Sequence, residues 1–131
     1  MKYPAFAKQY QGKTLQDDGS VLSTDFKKFA KSFQSLLKDE AKPQGWEIHT
    51  YNVNHYYVSG YLHKEGNYIY FSYSPARMMP LNFDSPRALH SVMLRYAKDP
   101  QDYIGGRNHF CAVKDLADTI QRLDRMKRFY I

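Results

Sequence analysis

Cysteine is nearly absent from this chain of 131 residues, where Cys111 stands alone. A single thiol excludes an internal disulfide and a cysteine-rich zinc site. Long apolar runs are missing too, and a membrane-spanning helix needs roughly 20 such residues. The opening MKYPAFAKQYQGK has no apolar centre of the kind a secretory leader carries, which predicts a cytoplasmic protein. No repeat, linker or low-complexity tract interrupts the chain, so a single domain over 1–131 is expected. Acidic residues are in the minority: 13 Asp and Glu against 19 Lys and Arg give a net charge of +6. That sign excludes an acidic mimic of DNA.

Catalytic signatures are also lacking. There is no phosphate-binding G-x-x-x-x-G-K-[ST], and Gly105-Gly106-Arg107 is a turn-sized glycine pair. His49, His55, His63, His90 and His109 are scattered, without the spacing of a metal site. Cys111 lies among Phe110, Ala112 and Val113, the setting of a core thiol rather than a nucleophile. Glu47, Glu65, Asp84 and Asp102 form no acid–base pair and no cation-holding cluster. The expectation is a protein that is not an enzyme and uses no metal or cofactor. A small hydrolase or nuclease with an atypical site is the weaker alternative.

What the chain does have is aromatic residues, 16% of the total, with twelve Tyr and eight Phe, within a 43% hydrophobic composition. That is enough apolar material for a packed core. Residues 1–22, with Pro4, Gly12 and Asp17-Asp18-Gly19-Ser20, read as an irregular arm that Tyr3, Phe6 and Tyr10 dock onto the body. Ser23-Thr24-Asp25 then caps a helix over 24–41. Phe26, Phe29, Ala30, Phe33, Leu36 and Leu37 form its apolar stripe. Lys27, Lys28, Lys31 and Lys38 fall on the other side, by default a solvated surface. Pro43 and Gly45 end the helix.

Strands follow at 46–51, 55–63 and 68–74, with turns at Asn52-Val53-Asn54 and Glu65-Gly66. A two-residue loop at Glu65-Gly66 fixes the pairing, with Lys64 opposite Asn67 and Val58 opposite Tyr73. Alternation then sorts the side chains. Val58, Gly60, Leu62, Ile69, Phe71 and Tyr73 make a core face, with the Phe71 ring lying over Gly60. Tyr57, Ser59, Tyr61, His63, Tyr68, Tyr70 and Ser72 make the opposite face. Residues 75–86 are a proline-rich connection. Residues 88–97 admit either a short helix (Leu89, Val92, Met93, Tyr96) or an edge strand (Val92, Leu94, Tyr96). Val113, Leu116, Ala117, Ile120, Leu123 and Met126 predict a last helix over 112–127. The fold class expected is α+β: a three- or four-stranded antiparallel sheet packed on one face by an N-terminal and a C-terminal helix.

Two features invite a partner. The tyrosine face offers rings suited to a protein interface or to stacked bases, unless the N-terminal arm or the 76–90 segment covers it. Tyr57, Tyr61, Tyr68 and Tyr70 would be the contacts, with Arg77, Arg95 and Arg107 as anchors. The basic C-terminal end, with Arg122, Arg125, Lys127 and Arg128, could instead touch phosphates of DNA or RNA.

The order helix, three strands, helix resembles the double-stranded-RNA-binding domain in topology. Such domains carry a lysine cluster at the start of the last helix, whereas Ala112-Val113-Lys114-Asp115-Leu116 has one. A second resemblance lies in sequence. It runs through His55-Tyr56-Tyr57-Val58-Ser59-Gly60-Tyr61, Gly66-Asn67-Tyr68-Ile69-Tyr70-Phe71-Ser72 and Ala76-Arg77. It continues through Leu94-Arg95-Tyr96-Ala97-Lys98-Asp99 and Asp102-Tyr103-Ile104-Gly105-Gly106-Arg107-Asn108. Over 55–110 the chain resembles small proteins of phages and plasmids, a group that includes anti-CRISPR proteins. The resemblance implies a non-enzymatic inhibitor that binds a Cas effector or its guide RNA. The alternative is a basic nucleic-acid-binding module of a mobile element.

Overall fold

The computed structural model describes residues 1–126. Helix α1 spans Tyr3–Tyr10 and helix α2 spans Thr24–Ala41. Five strands follow: β1 (Glu47–Asn54), β2 (Tyr57–Lys64), β3 (Asn67–Tyr73), β4 (Ser91–Ala97) and β5 (His109–Ala112). Helix α3 (Leu116–Met126) is the last described element. The class is α+β, with one antiparallel sheet in the order β1-β2-β3-β4-β5.

The arm over 1–22 is not irregular throughout, because 3–10 is helical. Pro4 lies in the first turn of α1, where a missing N–H costs nothing and the fixed φ favours a helix. Phe6 and Tyr10, one turn apart, bury against the rings of Phe29, Phe33 and Phe83. The Met1 ammonium is held by Ser35 and Asp39 of α2. Beyond α1, the arm bonds the proline-rich connection at Leu81, which accepts the Gly12 N–H at 2.8 Å and donates its own N–H to Lys13 O at 2.8 Å. The arm and the 76–90 segment therefore pair with each other, and Leu15, Leu81 and Phe83 enter the core.

Helix α2 begins as its capping residues dictate. Ser23 Oγ accepts the Phe26 N–H at 3.2 Å, and Asp18 accepts the Thr24 N–H at 3.0 Å. Its seven buried residues include the whole apolar stripe read from the sequence. A 3-10 turn, Lys42–Gln44, and left-handed Gly45 (φ 81°) end the helix. Phe29 and Phe33 lie 6.0 and 5.0 Å from the Tyr73 ring, and Tyr51 Oη donates to Ala30 O.

The β2–β3 register is the one the Glu65-Gly66 turn predicts, from Lys64 opposite Asn67 to Val58 opposite Tyr73. Gly60 sits under Phe71, where an added Cβ would lie 2.9 Å from Phe71 Cζ and 1.9 Å from Thr50 O. Tyr51 and Phe71, from the flanking strands, meet across this gap with centroids 5.9 Å apart. Strand β1 runs further than expected. The turn falls at His55-Tyr56, where Tyr56 takes φ 64°, and the register shifts between Ile48 and Thr50.

The ambiguous 88–97 segment resolves as strand β4. Val92, Leu94 and Tyr96 point inward opposite Tyr73, Phe71 and Ile69, and left-handed Leu89 (φ 75°) bars a helix before them. Strand β5 takes the sheet to five strands rather than three or four, so the likeness to the RNA-binding domain fails in its strand count. The last helix starts later than 112: Val113–Asp115 is a 3-10 turn, and residue 127 lies outside the described residues. Among the described residues no helix is long and apolar enough to cross a membrane.

Candidate functional site

The side chains that alternate away from the core form rows across the sheet. One row runs Asn52, Ser59, Ser72, Met93, Phe110, and the next runs Thr50, Tyr61, Tyr70, Arg95. Neither the N-terminal arm nor the 76–90 segment accounts for its cover. The β4–β5 connection does: residues 98–106 fold back onto the second row and are fastened there.

Asp102 is the fastening point. Its carboxylate accepts the N–H groups of Lys98 (2.9 Å), Gly105 (2.8 Å) and Ile104 (3.3 Å). Its backbone carbonyl accepts from Tyr61 Oη (2.9 Å) and Arg95 (3.3 Å). The Lys98 and Gly105 N–H bonds, then that of Ile104 and the Arg95 charge, hold the Asp102 carboxyl below the usual carboxylate range. Arg95 also donates to Gly105 O, lies 3.8 Å from the Asp102 carboxylate and stacks 4.8 Å from the Tyr70 centroid. Gly106 must be glycine, since at φ 83° a Cβ would lie 2.4 Å from Tyr96 O.

These bonds correct two sequence expectations. The sequence predicts Tyr61 and Arg95 as partner contacts, but they are 1% and 3% exposed. The returning loop uses both, and its burial raises the Tyr61 hydroxyl above the ordinary phenol range. Of the other predicted contacts, Tyr57 is exposed at the far end of the face, while Tyr68 and Tyr70 are half-buried. Tyr70 packs edge-on to Tyr61 (5.3 Å), and Tyr68 lies against His63 (4.9 Å) and His49 (5.5 Å). Arg107 is exposed beyond the loop. Arg77 belongs elsewhere: it stacks on Tyr56 at 4.0 Å beside an open cleft lined by Asp17, Met78, Met79 and Leu89.

The loop presents two residues that sequence reasoning missed. Tyr103 packs against Tyr61 and Tyr70 at 5.8 and 6.0 Å, and Ile104 is 95% exposed. Phe110, paired with Met93, adds a further exposed ring. The available signal was an apolar pair, Tyr103-Ile104, between an aspartate and a glycine pair, which marks a tight turn with greasy tips.

The histidines and the cysteine sit in the following surroundings. His63 Nε2 accepts the Gly66 N–H at 3.1 Å and its Nδ1 faces Glu47 at 3.4 Å, a turn-bracing role. Burial pushes the Cys111 thiol above its ordinary value, away from the reactive thiolate. Burial, then Arg122 and Arg107, pushes His109 below its ordinary value. Among the described residues no three His, Cys, Asp or Glu side chains are grouped to hold a metal ion. Arg122 and Arg125 are exposed on α3 but share their surface with Asp115 and Asp118; Lys127 and Arg128 lie outside the described residues. No family model, curated protein or solved structure matches the chain in the three comparisons made.

Proposed function

We propose that the chain is a non-enzymatic binding protein that inhibits a Cas effector nuclease by occupying its surface. The observation that carries the reading is Ile104, held almost wholly in solvent by a loop whose backbone is fastened to the sheet. A large aliphatic side chain held out on a braced turn can enter a partner's pocket with little ordering cost. The reading takes α2 and α3 to cover the Val58 side of the sheet together, leaving the opposite side for the partner. Tyr103, Phe110 and Met93 would surround the tip.

A protein partner fits this face better than stacked bases. Tyr61 is buried, and Tyr70 meets its neighbours edge to face, so their ring faces are not laid out as a stacking platform. The likeness over 55–110 to small proteins of mobile elements supports a Cas effector as that partner. The test is co-purification with a panel of Cas effectors, with and without guide RNA, followed by target-cleavage assays. Inhibition of at least one effector by stoichiometric protein is expected. Failure to bind or inhibit any effector type would remove the proposal.

A further inference from the structure

Helix α2 carries a different chemistry from the sheet face. From Lys27 onward its exposed positions are Lys27, Lys28, Lys31, Gln34 and Lys38, and exposed Lys42 continues the row in the 3-10 turn. Carboxylates border that surface at Asp25, Asp39, Glu40 and Glu47, the last of them exposed. Asp25 accepts the Gln16 N–H at 2.9 Å, Asp39 is paired with the Met1 ammonium, and half-buried Glu40 accepts the Tyr3 N–H. Lys38 and Lys42 lie near enough to Asp39 to help hold its carboxyl low, after the Met1 ammonium. Yet no ion pair among the described residues takes any of these lysines. Lys64, by contrast, is consumed by Asp124 at 3.1 Å.

Lys27, Lys31, Lys38 and Lys42 are separated by four, seven and four residues and so follow one stripe of the helix. At ~1.5 Å per residue, Lys27 to Lys38 spans about 17 Å. Beside the stripe runs a groove lined by Lys31, Gln34, Lys38, Lys42, Trp46 and Glu47, with Glu47 turned toward His63. We propose that this lysine stripe binds the phosphate backbone of duplex nucleic acid, without reading sequence.

Three observations select that occupant. A membrane surface would need exposed apolar groups to insert, but Phe26, Phe29, Phe33, Leu36 and Leu37 are all buried in the core. A single strand would need rings on which to stack, but the stripe has none and Trp46 is 2% exposed. A duplex carries one charge about every 1.7 Å of its axis, so a straight row of cations lies along a dense line of negative charge. The site is separate from the loop that carries Ile104, so either proposal can fail alone.

The test is a salt titration of fluorescence anisotropy with a DNA duplex and an RNA duplex of arbitrary sequence, between about 50 and 200 mM salt. Four contacts predict log K falling against log salt with a slope near −3.6 for DNA (roughly −0.9 per phosphate). Changing Lys31→Gln and Lys38→Gln together, with the melting curve unchanged, should reduce that slope by about 2. The pair Arg122→Gln and Arg125→Gln should leave it unaltered. Equal slopes in the lysine variant and the parent would overturn the proposal. So would loss of binding in the arginine variant alone, tighter binding to anionic phospholipid vesicles than to duplex, or no duplex binding at low salt.

Discussion

Two tyrosine hydroxyls, one in the core at Tyr73 and one packed against it at Tyr51, should respond to removal with opposite signs. Tyr73 is 1% exposed, its ring packs against Phe29 and Phe33, and its hydroxyl has no hydrogen-bond partner among the described residues. Burial without a partner leaves that hydroxyl paying for lost water contacts, about 1–3 kcal/mol. Tyr73→Phe keeps the ring and deletes the penalty, so it should stabilise the fold. With unfolding entropy near 2.1 cal/mol/K per residue, each kcal/mol raises Tm by roughly 3–4 °C at this length. Tyr51→Phe is the matched control, because the Tyr51 hydroxyl donates to Ala30 O at 2.5 Å. Losing that bond should cost about 0.5–1.5 kcal/mol. Thermal and urea unfolding of the three proteins, followed by circular dichroism, separates the cases. If Tyr73→Phe lowers the urea midpoint, the hydroxyl has a partner in solution and the account of this core is wrong.

Gly60→Ala should be severely destabilising, by about 3 kcal/mol or more, since the new methyl meets the Thr50 carbonyl and the Phe71 ring at once; a urea midpoint within error of the parent would contradict this. Acid should loosen the 98–106 loop. The Asp102 carboxyl is depressed in the folded state, so its stabilisation is present above the ordinary value near 4 and is lost as pH falls through the folded value. Asp102→Asn should therefore be less stable than the parent at neutral pH, and the gap should close on acidification; a gap that stays constant with pH would refute the assignment.

How much of this was legible in the sequence depended on where the determining contacts lie. Helix α2 and the β2–β3 register are local: a 3.6-residue stripe of Phe and Leu sets one, and the Glu65-Gly66 turn with strict alternation sets the other. Pro4 is a breaker by type, yet the first turn of a helix tolerates it. Strand β5 has four residues, too few to show alternation, and β4 carries both helical and strand spacing until its partners decide. The site was legible only in part. The alternation placed Tyr57, Tyr61, Tyr68 and Tyr70 on the outer face. It could not show that Asp102, dozens of residues later, would return to bond Tyr61 and draw Arg95 inward. Burial of those two side chains is a tertiary consequence, and so is the exposure of Ile104.

The proposed function is tested most directly by comparing Ile104→Asp with Val21→Asp in inhibition of whichever Cas effector the co-purification identifies. Both residues are large exposed hydrophobics, 95% and 82% in solvent, but only Ile104 stands on the fastened loop. A hot spot of about 2 kcal/mol predicts roughly thirty-fold weaker inhibition for Ile104→Asp and parent-like inhibition for Val21→Asp. Equal potency of all three proteins would contradict the claim that this loop is the contact.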